Sequence, residues 1–96
     1  MRFDWDPDKN TANIAKHGVA FEQAQSAFYD ENGMLFDDPD HSADEDRFLL
    51  LAATTAGRLL LIVHCYRDRD EVIRLISARP ATARERTTYA TQGARP

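Results

Sequence analysis

"RFLLLAATTAGRLLLIVHCYRDRDEVIRLISAR", residues 47–79, decides the fold. Three apolar runs rich in Leu, Ile and Val are interrupted first by Ala56-Gly57 and then by Arg67-Asp68-Arg69-Asp70, which is the punctuation of two successive hairpins. With "MLFDD" (34–38) ahead of them, these runs predict four strands in an antiparallel meander. If Ala56-Gly57 is a two-residue turn, Thr55 pairs with Arg58, Leu49 with His64 and Arg47 with Tyr66. If 67–70 closes the second hairpin, Tyr66 pairs with Glu71, His64 with Ile73 and Arg58 with Arg79. Side-chain alternation then puts Phe48, Leu50, Ala52, Leu59, Leu61, Val63 and Cys65 on one face, to be covered by helices. Arg47, His64, Tyr66 and Glu71 gather at one end of the other face.

Helices are signalled on both sides of the meander. Asp6-Pro7 reads as N-cap and first helical residue, and Gly18 as the left-handed stop after Lys16 and His17, which suit the negative end of the helix dipole. Asn10, Asn13 and His17 share a polar face of that helix, and such a face needs a partner. Phe21, Ala24 and Phe28 give a second helix an apolar stripe. Near the C-terminus, Thr82 and Glu85 form a capping box for a third helix ending at Gly93, and "GARP" (93–96) reads as frayed. The expected architecture is α+β, in the order ααββββα, with two N-terminal helices, a four-stranded antiparallel sheet and a C-terminal helix in a single domain, 1–96.

Composition narrows the chemistry. The longest apolar run, "LLLIVHCY", is too short to cross a membrane, and "MRFDWDPDKN" lacks a signal-peptide core, so the expected location is cytoplasmic with no membrane partner. Cys65 stands alone and reads as a buried thiol. The acidic run 37–46 lacks the spacing of a calcium loop and reads as a solvated connection. The net charge of −4 hides an asymmetry: residues 1–46 carry three cations against twelve acids, while 47–96 carry nine arginines against four acids. Arginine without lysine favours bidentate recognition of phosphate or carboxylate.

No phosphate-binding glycine loop, nucleophile elbow or metal-ligand spacing is present, so no metal and no cofactor is expected. A histidine, arginines, a tyrosine and a glutamate without a metal fit cleavage of RNA, which carries its own 2′-hydroxyl nucleophile. In the sheet-end cluster His64 supplies a titratable base or acid, Arg47 a phosphate clamp, Tyr66 an aromatic platform and Glu71 a second proton carrier.

"FDWDPDKNTANIAKHGVAFEQA" (3–24), "HSADEDRFLLLAATTAGRLLLIVH" (41–64) and "IRLISARPATARERTTY" (73–89), in this order and spacing, resemble the BrnT family of bacterial type II toxins. The matching positions are Asp6, Asn13, Lys16, His17, Gly18, Arg47, His64, Ser77, Arg79, Arg84, Glu85, Arg86 and Tyr89. The resemblance implies a RelE-like fold and a ribonuclease that arrests translation. With it, the expected catalytic set is His64, Arg79, Glu71 and Arg47, with both arginines on the scissile phosphate, and the expected RNA-binding residues are Lys16, His17, Tyr66, Arg84, Arg86 and Tyr89. It also implies neutralisation by a BrnA-type ribbon-helix-helix antitoxin, through which alone the toxin would reach operator DNA as corepressor. Two positions depart from the pattern: Ala20 stands where relatives carry a capping serine, and Pro80 replaces an arginine found in some. A second expectation, from a different class, is a non-catalytic module that binds the antitoxin and acts only in corepression.

Overall fold

The computed structural model describes residues 1–39 and 46–92. Its element order is β1 (Arg2–Asp4), α1 (Pro7–His17), α2 (Phe21–Ala24) running into a 3₁₀ segment (Gln25–Tyr29), β2 (Met34–Asp37), β3 (Phe48–Ala53), β4 (Leu59–Arg67), β5 (Val72–Pro80) and α3 (Ala83–Gln92). The strands form one five-stranded mixed sheet in the order β1-β5-β4-β3-β2. The four-strand meander is present, but the sheet gains β1, which runs parallel to β5 from Arg2↔Val72 to Asp4↔Arg74. Arg74 clips that edge by an ion pair to Asp4 at 2.6 Å. The second helix is a single α-turn that tightens into 3₁₀ geometry, and the predicted stop of α3 at Gly93 and the tail 93–96 lie outside the described residues. So does the middle of the acidic connection, 40–45.

Local chemistry fixes α1. The Asp6 carboxylate accepts from the Asp8 N–H, Pro7 opens the helix, and Gly18 at φ 69° sends its N–H back to the Ile14 carbonyl at 2.8 Å. The partner of its polar face is structural. Asn13, only 6% exposed, donates to the carbonyls of Val19 and Ala78 at 2.8 Å each and accepts from the Ala78 N–H at 3.0 Å, joining α1 to β5. Asn10 accepts from the Phe21 N–H at 2.8 Å. It thereby caps α2 from a distance, in place of the side chain that Ala20 cannot supply.

The expected register is wrong in both hairpins, for identifiable reasons. The first connection is a three-residue loop, 55–57, because Gly57 takes a left-handed φ of 85° and the Thr54 N–H bonds the Arg58 carbonyl. Leu49 therefore pairs with Val63 and Phe48 with His64, a slip of one residue that turns β4 over relative to β3. In the second hairpin the last pair is Arg67↔Val72, and Asp68, Arg69 and Asp70 all have positive φ. His64 lies opposite Leu75, and a bulge between Val63 and His64 makes Val63 pair with Ser77 and Leu61 with Arg79.

The helix-covered face is thus built from Leu50, Ala52, Leu60, Ile62, Ile73, Leu75 and Ala78, packed against Val19, Phe21, Ala24 and Ala27. Leu59, Leu61, Val63 and Cys65 go to the opposite face, contrary to expectation. Cys65 is nonetheless buried. Among the described residues no helix is long and apolar enough to cross a membrane.

Candidate functional site

His64 belongs to the core. It is 0% exposed and stands edge-on to Phe28 and Tyr66, with ring centroids 4.9 and 5.3 Å away. Its ring nitrogens lie 3.4 Å from the Ile62 carbonyl oxygen and the Tyr66 hydroxyl. Burial lowers its pKa to about 4, against a slight opposing pull from the Ile62 carbonyl, so the ring is neutral at physiological pH. Neither nitrogen is open to solvent. Tyr66 and Glu71 line one hollow with Phe28, so this part of the expected cluster does assemble, though around an interior histidine.

The arginines expected beside His64 are elsewhere. The one-residue slip sends Arg47 to the other side of the sheet, and the bulge does the same to Arg79. Arg79 also lies eight residues along β5 from Glu71, about 26 Å at the usual rise per residue. His64, Arg79, Glu71 and Arg47 are therefore not brought together as one set.

A different set forms around Arg79, at the end of the sheet where β4 begins and β5 ends. Its guanidinium makes two parallel bonds to Glu85, Nη1 to Oε1 at 2.8 Å and Nη2 to Oε2 at 2.9 Å. Glu85 also accepts from the Thr82 N–H at 2.9 Å, while the Thr82 hydroxyl accepts from the Glu85 N–H at 3.2 Å, which is the expected capping box. The Arg79 hydrogen bonds, aided by those of Thr82, hold the Glu85 carboxyl down at about 2, and the Glu85 bonds raise Arg79 in turn.

The same end collects further cations. Arg58 reaches back to the Gly18 carbonyl at 3.2 Å, which places it beside the α1 terminus carrying Lys16 and His17. The Ala81 N–H bonds the Leu59 carbonyl, so α3 starts next to Arg58, with Arg84 and Arg86 exposed on its first turns. α3 then crosses the strand ends. Tyr89 donates to Asp30 at 2.6 Å, and the same Asp30 oxygen accepts from the Ala53 N–H at the end of β3. Tyr89 is pushed up to about 12, first by its bond to Asp30, so it stays protonated. Burial raises Asp30, but the bonds from Ala53, Tyr89 and Asn32 outweigh it and the net shift is downward. Within α3, Glu85, Tyr89 and Gln92 are half-buried and every other residue is exposed, so the helix is held by polar bonds rather than by an apolar stripe.

Of the expected RNA-binding residues, Lys16, His17, Arg84 and Arg86 share the Arg79 end, Tyr89 sits at the far side of α3, and Tyr66 stands at the opposite end of the sheet. Sequence reasoning missed Glu85 as the partner of Arg79 and Arg58 as part of the cationic rim. The capping box already marked Glu85 as fixed in place. Among the described residues no three His, Cys, Asp or Glu side chains group as metal ligands.

A family model described as the ribonuclease toxin BrnT of type II toxin-antitoxin systems matches residues 5–85. Among solved structures, the 1.1 Å crystal structure of the Brucella abortus ribonuclease toxin BrnT aligns with a TM-score of 0.65 at 21% sequence identity, covering 85% of this chain and 97% of that one. At that identity the likeness speaks for the fold. No curated protein matches this chain.

Proposed function

From the premise that this chain belongs to the BrnT family of type II ribonuclease toxins, we propose that it is a metal-independent endoribonuclease whose working surface is the cationic end of the sheet around Arg79. The observation that carries the reading is the convergence there of Arg79, Arg58, Lys16, His17, Arg84 and Arg86, with the one half-buried acid among them, Glu85, already matched to a guanidinium. A fork that binds a carboxylate through two parallel bonds is equally shaped for two phosphate oxygens.

On this reading a phosphate of the RNA enters the Arg79 fork in place of Glu85. The released carboxylate loses the Arg79 bonds, the largest influence depressing its pKa, and becomes a more competent base beside the bound phosphate. It takes the proton of the adjacent 2′-hydroxyl, the 2′-oxygen attacks phosphorus, and the bond to the 5′-oxygen breaks with a proton supplied by solvent. The products are a 2′,3′-cyclic phosphate and a 5′-hydroxyl. Arg79 stabilises the charge that builds on the phosphorane-like transition state, while Lys16, His17, Arg58, Arg84 and Arg86 hold flanking phosphates. His64 has no part in proton transfer, because its nitrogens are sealed in the core. Cleavage of cellular RNA arrests translation, and a protein antitoxin of the BrnA type neutralises the toxin and carries it to operator DNA as corepressor.

The second reading, a non-catalytic corepressor module, is favoured by one observation: both Arg79 Nη atoms are already bonded to Glu85. Expression in a bacterial host without antitoxin separates the two. The nuclease reading expects growth arrest and fragmented RNA with the wild type, loss of both in Arg79→Ala, and retention of both in His64→Gln. Intact RNA and normal growth with the wild type would overturn it.

A further inference from the structure

At the end of the sheet away from Arg79, two hollows flank the Tyr66 ring. One, of about 650 Å³, is walled by Phe28, Leu35, Tyr66, Glu71 and Asp70. The other, of about 530 Å³, is bounded by Asp46, Phe48, Tyr66, Arg67 and Asp70. Tyr66 and Asp70 are common to both, so the tyrosine borders each of them. The ring packs in T-shaped contacts with Phe48 and His64, both with centroids 5.3 Å away. Burial and then the Asp70 carboxylate raise the Tyr66 pKa, keeping the hydroxyl neutral and the ring electron-rich.

The rim is predominantly acidic. Asp30, Asp70 and Glu71 line the first hollow together with Arg2, and Asp46 and Asp70 line the second together with Arg67. Arg2 is itself bound to Asp68 at 2.9 Å, and Asp30 is committed to Tyr89. Asp70 is held at the shared rim by a connection in which Asp68, Arg69 and Asp70 have φ of 53°, 56° and 68°. Non-glycine residues adopt that region at a cost, and consecutive ones in a hairpin are unusual. Leu35, 54% exposed, adds an apolar lip.

An electron-rich ring that lines both hollows beside carboxylates is a receptor for cationic side chains, through cation–π and ionic contacts together. It repels the phosphates of RNA. We propose that these paired hollows take two arginine or lysine side chains from one segment of the antitoxin, about 26 Å from the RNA-cleaving end. This rests on the antitoxin-binding part of the reading above and adds where, and by what chemistry, the antitoxin is held.

The test uses the full chain, refolded free of partner, and the protein encoded by the reading frame adjoining its gene. Affinity is measured by calorimetry at several salt concentrations, with cleavage of an RNA oligonucleotide measured in parallel. Asp70→Asn with Glu71→Gln suits the left-handed backbone at 70 and removes two charges. It should weaken binding by about tenfold or more and flatten its salt dependence, and Tyr66→Leu should do the same. Arg79→Ala should bind as the wild type does. Should Tyr66→Leu fail to fold, the loop pair decides alone. Unchanged affinity in the loop pair, a loss confined to Arg79→Ala, or no binding by the wild type each overturns the proposal. Failure of the oligonucleotide to be cut overturns the nuclease reading instead, and the affinity series still decides where the antitoxin docks.

Discussion

Glu85→Gln isolates the charge of the Arg79 pair, because glutamine keeps the size of the side chain and its carbonyl can still accept from the Thr82 N–H in the capping box. The downward shift of Glu85 from 4.5 to about 2 corresponds at face value to about 3 kcal/mol. Both partners are partly in water, with side chains 35% and 23% exposed, so screening leaves about 1–2 kcal/mol at pH 7. For a chain of this size that is a fall in Tm of roughly 5 to 12 °C. Because the folded-state pKa is the lower one, the stabilisation is complete above 4.5 and is lost as pH falls from there through about 2. Thermal unfolding followed by circular dichroism should therefore show a gap between wild type and variant at pH 7 that narrows steadily below pH 4.5. Equal midpoints at pH 7, or a gap that ignores pH, would refute the assignment of the energy to this pair.

His64 gives a second pH effect of its own. Since its folded pKa is about 4 against 6.5 when unfolded, stability is present above 6.5 and falls as pH drops toward 4, by about 2–3 kcal/mol; urea titrations should show His64→Leu lacking that decline. Tyr89→Phe removes the 2.6 Å bond to Asp30 and should cost about 1–2 kcal/mol, read as a lower Tm with α3 loosened in hydrogen exchange. Asn13→Ala leaves the Ala78 N–H and two carbonyls in the α1–β5 seam without their partner and should cost about 3 kcal/mol, measurable as a lower urea midpoint.

The elements were legible wherever a local rule governs them. Caps at Asp6 and Thr82, the stop at Gly18 and the strand runs depend on residues within one turn or one strand of each other, and they stand where the sequence puts them. What failed needed either a dihedral or a distant partner. Gly57 could close a two- or a three-residue loop, and its positive φ selects the latter. That single choice reversed β4 against β3, exchanging His64 from the open face to the core. β1 was invisible because three residues carry no period, and its strand partner lies 70 positions on. The candidate site followed the register: Arg79, Arg84, Lys16 and His17 converge through the ends of elements, which tolerate a slip, whereas a cluster built on cross-strand pairs does not.

The corrected register also changes what the charge asymmetry means. Read along the chain, acids in the first half and arginines in the second suggest one face for each partner. In the fold the division lies along the strands instead. Arg58, Arg79 and Arg84 stand where β4 starts and β5 ends, and Asp70 and Glu71 stand at the hairpin between them, so one nine-residue pair of strands separates the two poles. On the proposed reading, cleavage and capture then make no competing demands on the same side chains. On that reading an antitoxin segment seated at Tyr66 cannot itself fill the Arg79 fork, so neutralisation would come from another part of the bound protein that lies over α3 and bars RNA from the cationic end without bonding to Arg79. α3 suits that arrangement, since it is secured through Glu85, Tyr89 and Gln92 and presents only exposed, mostly polar side chains outward.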